Sequence, residues 1–406
     1  MTMHAIRATR CFDGERFRSE GVTVLVEGDR IVGVEPPPYD APDGVEVTSY
    51  DGTLLPGLID AHVHLVGDAT FGGLERAGSM SDPELDATIT TMLRAQAVAG
   101  VTTVRDLGDA GYRTVVARDR AGAGEPRIIA AGPPITVPNG HCHYLGGAVE
   151  GVDDVRRAVA EHVEHGVDLI KVMASGGMLT AESDVLGVQF SAEELRAAVD
   201  TAHAAGLRIV AHAHSEAGVR HALAAGVDGL EHATCLAAEG LSVPEDLFRE
   251  IAERGVTVDP TWGMDPDRVP PADQLPPNMR ALAERFHMSP TDVLRGRAGQ
   301  LDRMRELGVR IVSGMDAGAT PPKPHGSLWR VVVQLQSAGF SAADALASAT
   351  SVAADDCGLT ATAGRLAAGL AADLLVVDGD LAADLSGLAR PVQVWVRVAP
   401  VQVRWR

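Results

Sequence analysis

Six times in this chain a glycine is followed at once by a short apolar run: Gly100-VTTV, Gly166-VDLIKV, Gly206-LRIVAH, Gly226-VDGLEH, Gly255-VTVDP and Gly308-VRIVSG. Glycine just past a helix takes the left-handed conformation that ends it. A β-branched apolar run then reads as a buried strand. Arg127–Gly132 reads as a further strand without the leading glycine, and Leu58–Leu65 completes a set of eight. Helix-like segments alternate with them: Pro83–Ala99, Tyr112–Ala121, Val152–His165, Ala192–Ala205, Ala217–Ala225 and Pro244–Arg254. A longer stretch, Pro277–Leu307, precedes the eighth strand, and a helix-like Gly326–Ala338 follows it. Eight apolar strands alternating with helices predict an α/β chain whose parallel sheet closes as a (β/α)8 TIM barrel. An open doubly wound sheet is the competing arrangement, but the dinucleotide glycine-rich turn is missing.

The ends of the chain read differently. Val22–Val26 and Arg30–Val34 flank a Glu27-Gly28-Asp29 turn, and Pro36–Gly44 is a Pro-rich loop. After two helical stretches, Ala342–Thr350 and Val352–Cys357, the segments Gly364–Asp378 and Pro391–Trp405 turn strand-like again. The economical arrangement is a small discontinuous β-sandwich domain from both termini, residues 1–57 and 360–406, attached to a barrel of residues 58–359.

At 406 residues the chain can bury a large core. Its net charge of −20, with no Lys/Arg run, argues against nucleic acid or an anionic membrane as partner. The opening MTMHAIRATRCFDGERF has no apolar signal-peptide core, and no stretch has the length and apolarity of a membrane span. Cys11, Cys142, Cys235 and Cys357 fall in no paired motif, which fits a reducing cytoplasm. A small-molecule substrate is the expected partner, and a homo-oligomer is compatible with all of this.

The chemistry-bearing residues sit at strand ends. In LLPGLIDAHVHL (Leu54–Leu65), read as one buried strand, His62 and His64 are two apart and share a face. Arg105 and Asp106 end the second strand, Lys171 lies in the fourth, His212 and His214 in the fifth, His232 in the sixth and Asp316 after the eighth. Ionisable groups inside apolar runs are costly unless paired or ligated. Barrel enzymes build their sites at the C-terminal ends of the strands, so these residues converge. Arg105 and Asp106 read as a buried ion pair. Glu231, next to His232, should point the opposite way and be structural.

The combination His62-x-His64, Lys171, a fifth-strand histidine, His232 and Asp316 resembles the amidohydrolase superfamily. The likeness extends over LPGLIDAHVHL, HGSLWRVVVQLQSAGFSAADALASAT and GRLAAGLAADLLVVD. AHAH followed by AGVDGLEH resembles its imidazolonepropionase-like and Xaa-Pro dipeptidase-like branch. The resemblance implies two divalent ions, zinc foremost, bridged by a carboxylated Lys171. His62, His64 and Asp316 would hold the more buried ion, and His212 and His232 the more exposed one. His212 is favoured over His214 because its separation from His232 resembles the family spacing. His214 would then orient a carboxylate behind the site or touch substrate. Asp316 would be the general acid/base.

Bottom-up chemistry agrees with that assignment. An ammonium at Lys171 would be repelled by two dications, whereas a carbamate is an anionic bridge. Two metals bring the pKa of a shared water to near neutral. Asp316 can take the proton of that bridging hydroxide and deliver it to a leaving nitrogen. The expected reaction is hydrolysis of an amide bond in a small substrate of dipeptide or N-acyl amino acid type. Hydrolysis or deamination of a cyclic amide or amidine is the alternative. The His-x-x-Glu of mononuclear deaminases is missing, since position 215 is Ser and 217 is Ala. A non-enzymatic barrel would lack the ligands. The loop Pro133–Gly151 carries His141, His143 and Tyr144, candidates to polarise the substrate carbonyl or bind its carboxylate. His325 is a further candidate, and Asp265–Pro277 reads as a lid.

Overall fold

The computed structural model describes residues 3–287 and 290–403. All eight expected parallel strands form. They are numbered here β1 (Leu58–Val63), β2 (Val101–Asp106), β3 (Arg127–Ala130), β4 (Leu169–Met173), β5 (Arg208–Ser215), β6 (Gly229–Ala237), β7 (Thr257–Asp259) and β8 (Arg310–Ile311). The six glycines that precede strands all have positive φ, from 66° at Gly255 to 93° at Gly226. The device that announces each strand is therefore present at every expected place.

Strands β1-β2-β3 form one parallel sheet and β4-β5-β6-β7-β8 another. Backbone bonds cross both gaps. Asp168 donates to Ala130 at 2.8 Å and Ile135 to Lys171 at 2.9 Å on one side. Ala61 donates to Ser313 at 3.0 Å and His64 to Ala317 at 2.8 Å on the other. Helices such as Asp82–Val98, Val152–Glu164 and Ala192–Ala204 lie between consecutive strands in the chain. Their buried residues, among them Ile89, Val159 and Leu195, join the strand residues Val104, Ile170 and Leu230 in one core.

The two ends of the chain pair as a single eight-stranded sheet. Its order runs Ala399–Val401, Pro391–Val396, Leu374–Asp378, Glu46–Pro56, Met3–Phe12, Val22–Glu27, Arg30–Glu35, with Phe17–Arg18 beside Met3–Phe12. A separate cluster of Ile6, Val24, Ile31, Leu54, Leu374 and Val376 packs on it. No helix among the described residues is long and apolar enough to cross a membrane. The four cysteines are free.

Several boundaries depart from expectation. Leu54–Leu65 is two strands, not one. Glu46–Pro56 belongs to the terminal sheet, β1 to the parallel one, and Gly57 is the joint. A Cβ on Gly57 would lie 2.2 Å from the Thr102 side chain, so only glycine fits where the chain changes sheets. Within Gly364–Asp378 only Leu374–Asp378 is strand. The preceding turns give their amides to carbonyls of the N-terminal segment instead, Leu366 to Asp13 and Gly369 to Ile31 in the Arg30–Glu35 strand. Pro277–Leu307 resolves into two helices, Pro277–Phe286 and Pro290–Glu306. The last two residues of the Pro391–Trp405 expectation lie outside the described residues.

Candidate active site

His62 leaves β1 with its Nδ1–H donated to Glu231 Oε2 at 2.7 Å. His64, one residue past the strand, donates Nδ1–H to the Gly108 carbonyl at 3.0 Å. Each bond places a proton on Nδ1, so that in the neutral ring Nε2 is a lone pair. Both Nε2 atoms face Asp316 Oδ1, at 3.6 and 3.3 Å. Two lone pairs and a carboxylate oxygen meeting at one point repel unless a proton or a metal cation lies between them. The chemistry of this donor set fits a divalent ion, and the three ligand atoms lie within 4.8 Å of one another.

A second group adjoins the first. His212, His214 and His232 also bring ligand nitrogens within 4.8 Å of one another. Here His212 donates Nε2–H to Gly176 O at 3.2 Å, which leaves Nδ1 free. His214 Nδ1 meets Thr234 Oγ1 at 2.9 Å and His232 Nδ1 meets Thr261 Oγ1 at 2.8 Å, which leaves both Nε2 atoms free. The rings of His62 and His232 are 5.4 Å apart and those of His212 and His232 are 4.6 Å apart, so the two groups touch. His212 and His214 both reach the second group.

Burial sets the charge states. It pushes His62 down to about 4, with Lys171 adding to the effect, and it holds His212 and His232 well below the ordinary imidazole value. Neutral imidazole is the metal-binding form. For Asp316, burial favours the acid, but the charge of Lys323, 3.3 Å from Oδ2, outweighs it and keeps the carboxyl ionised. Lys171 is 1% exposed, and its side-chain nitrogen forms no hydrogen bond or ion pair among the described residues. Burial lowers its pKa toward the neutral amine, against the pull of Glu231 and Asp316.

Two expectations need correction. Arg105 and Asp106 do not pair. Arg105 donates to Glu231 Oε1 at 3.2 Å, Asp356 Oδ2 at 2.8 Å and Ala61 O at 2.7 Å. Asp106 accepts from the amides of Leu65 and Gly108. Neighbours on a strand point to opposite faces, and this strand obeys the rule. Glu231 breaks it. Next to it His232 has φ 69°, so the backbone turns and both side chains reach the site. Glu231 is thereby the group that orients His62, and Arg105 holds it ionised at about 2 against burial.

The loop after β3 is divided between two places. His141 is buried, its Nδ1 3.0 Å from Thr180 Oγ1 and its ring 4.5 Å from that of His212. His143 and Tyr144 line an adjoining cavity of about 430 Å³ with Phe71, Leu179 and Glu182. Within the Asp265–Pro277 segment, Gln274, Leu275, Pro276 and Pro277 also line it. His325 has both ring nitrogens engaged, Nε2 3.1 Å from the Gly67 carbonyl and Nδ1 3.4 Å from Gln96 Nε2. Lys323 escaped sequence reasoning. It donates to Asp316 Oδ2 at 3.3 Å and to Thr261 O at 2.9 Å, from a loop position with no spacing signal.

Comparison with known proteins agrees with the resemblance seen in the motifs. The profile of the amidohydrolase family matches residues 53–397. An uncharacterised protein of Mycobacterium tuberculosis is 30% identical over 315 residues, 75% of either chain. The crystal structure of a Xaa-Pro dipeptidase with methionine bound in its active site superposes with a TM-score of 0.84 at 25% identity, covering 98% of this chain and 99% of that one. A prolidase in complex with N-methylphosphonate-L-proline superposes at 0.83 with 27% identity, covering 99% of this chain and 100% of that one. On these matches the protein is a hydrolytic enzyme acting on carbon–nitrogen bonds, and the chain belongs to the amidohydrolase family.

Proposed function

We propose that this enzyme hydrolyses the amide bond of a small substrate, a dipeptide or an N-acyl amino acid, in a site that holds two divalent ions. The observation that carries the reading is the meeting of the His62 and His64 lone pairs with Asp316, directly beside the histidine trio. His62, His64 and Asp316 hold one ion in this reading, and His212 and His232 the other, with His214 beside them. Lys171, buried without a partner and biased toward the neutral amine, is suited to react with CO₂ and bridge as a carbamate. Imidazole and carboxylate donors suit zinc. When bound, such ions acidify water and polarise a carbonyl.

The chain's own groups supply the rest. Asp316 accepts a proton from the attacking water and returns it to the leaving nitrogen. His141, next to His212, offers an N–H to the developing oxyanion. His143 and Tyr144 face the cavity where the substrate's terminal carboxylate would lie. The solved prolidase complexed with a phosphonate of proline supports a peptide-like substrate.

The same proposal covers the architecture. The backbone bonds across both sheet gaps support a closed eight-stranded barrel over residues 58–359. The terminal sheet and its own apolar cluster support a smaller domain of residues 1–57 and 360–406, curled into a sandwich. Free cysteines fit a reducing cytoplasm.

The test is a panel of dipeptides, N-acyl amino acids and cyclic amides, with zinc supplied, read for new α-amine and for ammonia. New α-amine without ammonia is expected. Ammonia alone would replace the peptidase-like reading with deamination. Asp316→Asn should lower kcat at least about a hundredfold, the usual scale for a general acid–base.

A further inference from the structure

Midway along β6 the backbone is unlike that of an ordinary strand. His232, Ala233 and Cys235 all have positive φ, at 69°, 41° and 51°, and Thr261 just past β7 has φ 47°. None of these residues is glycine, so each needs support from its surroundings. The ladder between β6 and β7 ends at the Glu231–Asp259 pair. Beyond it no β7 residue pairs with His232, Ala233 or Thr234, although β6 stays paired with β5 through Ala213 and His232.

Two side chains of the Pro290–Glu306 helix fill that gap. Arg297 donates to His232 O at 2.8 Å, to Pro260 O at 3.1 Å and to Ala233 O at 3.2 Å. Gln300 donates to Thr234 O at 2.8 Å, and its own amide oxygen accepts from Arg297 at 2.8 Å. Arg297 is 6% exposed and has no carboxylate in ion-pair range among the described residues. A buried guanidinium without a counter-ion is costly. Three of its four acceptors are main-chain oxygens, two at the left-handed turn and one just past the next strand. A planar fork of donors can hold all three at once, and an ammonium on a flexible stem cannot.

We propose that Arg297, backed by Gln300, is a positioning residue for the active site. It locks β6 just past Glu231 in the left-handed turn that brings His232 into the histidine trio. The proposal rests on the two-ion reading given above. It predicts a selective defect, because His62 and His64 sit on and just past β1, Asp316 follows β8, and Glu231, which orients His62, precedes the turn and is held by Arg105.

Arg297→Met, Arg297→Lys and Gln300→Ala would be compared with the wild-type protein. Each would be loaded with zinc or cobalt and read for ions per chain, affinity against a competing chelator, the cobalt absorption spectrum and the melting temperature. For Arg297→Met, one ion should bind about 10–100-fold more weakly, the scale seen when a group supporting a metal ligand is lost. The other ion should keep its affinity. Arg297→Lys should show the same one-ion loss, since it keeps the charge but not the fork, and Gln300→Ala a milder one. If Arg297→Met does not fold, Arg297→Lys decides. Wild-type affinity for both ions in Arg297→Lys would overturn the proposal. So would an equal fall in melting temperature with and without metal while both ions stay bound, or unfolding of all three variants. Wild-type protein that takes up no metal would instead remove the two-ion reading itself.

Discussion

At the scale of single residues, the candidate ligands were legible because each stands at the C-terminal end of an apolar run. His62, His64, Lys171, His212, His232 and Asp316 all reach one region. The groups behind them were not legible. Glu231 looked structural because strand parity puts it opposite His232, and parity fails only where φ turns positive, which residue type does not announce for a histidine. Two predictions belong here. In Glu231→Gln, His62 loses an anionic partner and Arg105 loses one of two carboxylates. Metal affinity should fall about 10–100-fold. Stability should fall by about 3–5 kcal/mol, the range for breaking a buried ion pair, read from the denaturation midpoint. An unchanged midpoint and affinity would show that Glu231 orients nothing. Lys171→Ala should lose bound metal and activity together, and formate or acetate should restore part of both by filling the bridge. Retention of two ions by Lys171→Ala would remove the carbamate.

At the scale of elements, the parallel strands were legible and the terminal sheet only partly. A glycine that ends a helix and a β-branched run that follows are both local signals, and they agree at six places. Met3–Phe12 carries no such signal, since Arg7, Thr9 and Arg10 interrupt its apolar positions and its partners are distant in sequence. The boundary inside Leu54–Leu65 was hidden for a related reason. Both halves are fully buried, so hydrophobicity does not change as the chain passes from one sheet to the other. Gly57 marks the joint by sterics alone. Gly57→Ala would push a methyl against Thr102, itself buried, and should cost about 1–3 kcal/mol, the scale of overpacking. Thr102→Ala in the same chain should recover part of that loss, since it removes the two nearest atoms. A double-mutant cycle read by urea denaturation checks it, and strict additivity of the two changes would refute the steric account.

At the scale of the whole molecule, the terminal sheet is not an appendage that the active site can do without. The Glu46–Pro56 strand runs directly into β1, which carries His62 toward the site, and it is flanked by Met3–Phe12 on one side and Leu374–Asp378 on the other. The Gly57 amide, at the joint itself, donates to Asp373 O at 2.8 Å. The C-terminal segment thus anchors the start of β1, although it contributes no candidate ligand. Leu374, Leu375, Val376 and Val377 are all at most 1% exposed. Burying each such side chain is worth about 1.5–3 kcal/mol, so together they contribute on the order of 6–12 kcal/mol. That is comparable to the whole net stability of an ordinary domain, about 5–15 kcal/mol. A chain ending at residue 359 keeps every candidate ligand from His62 to Asp316, yet it should not accumulate as folded protein. Soluble yield and the far-ultraviolet circular dichroism of the truncated chain check this. A soluble, folded truncation that binds as much metal as the full chain would mean that the parallel-stranded unit stands without the terminal sheet, and that the Glu46–Pro56 strand is not what fixes the start of β1.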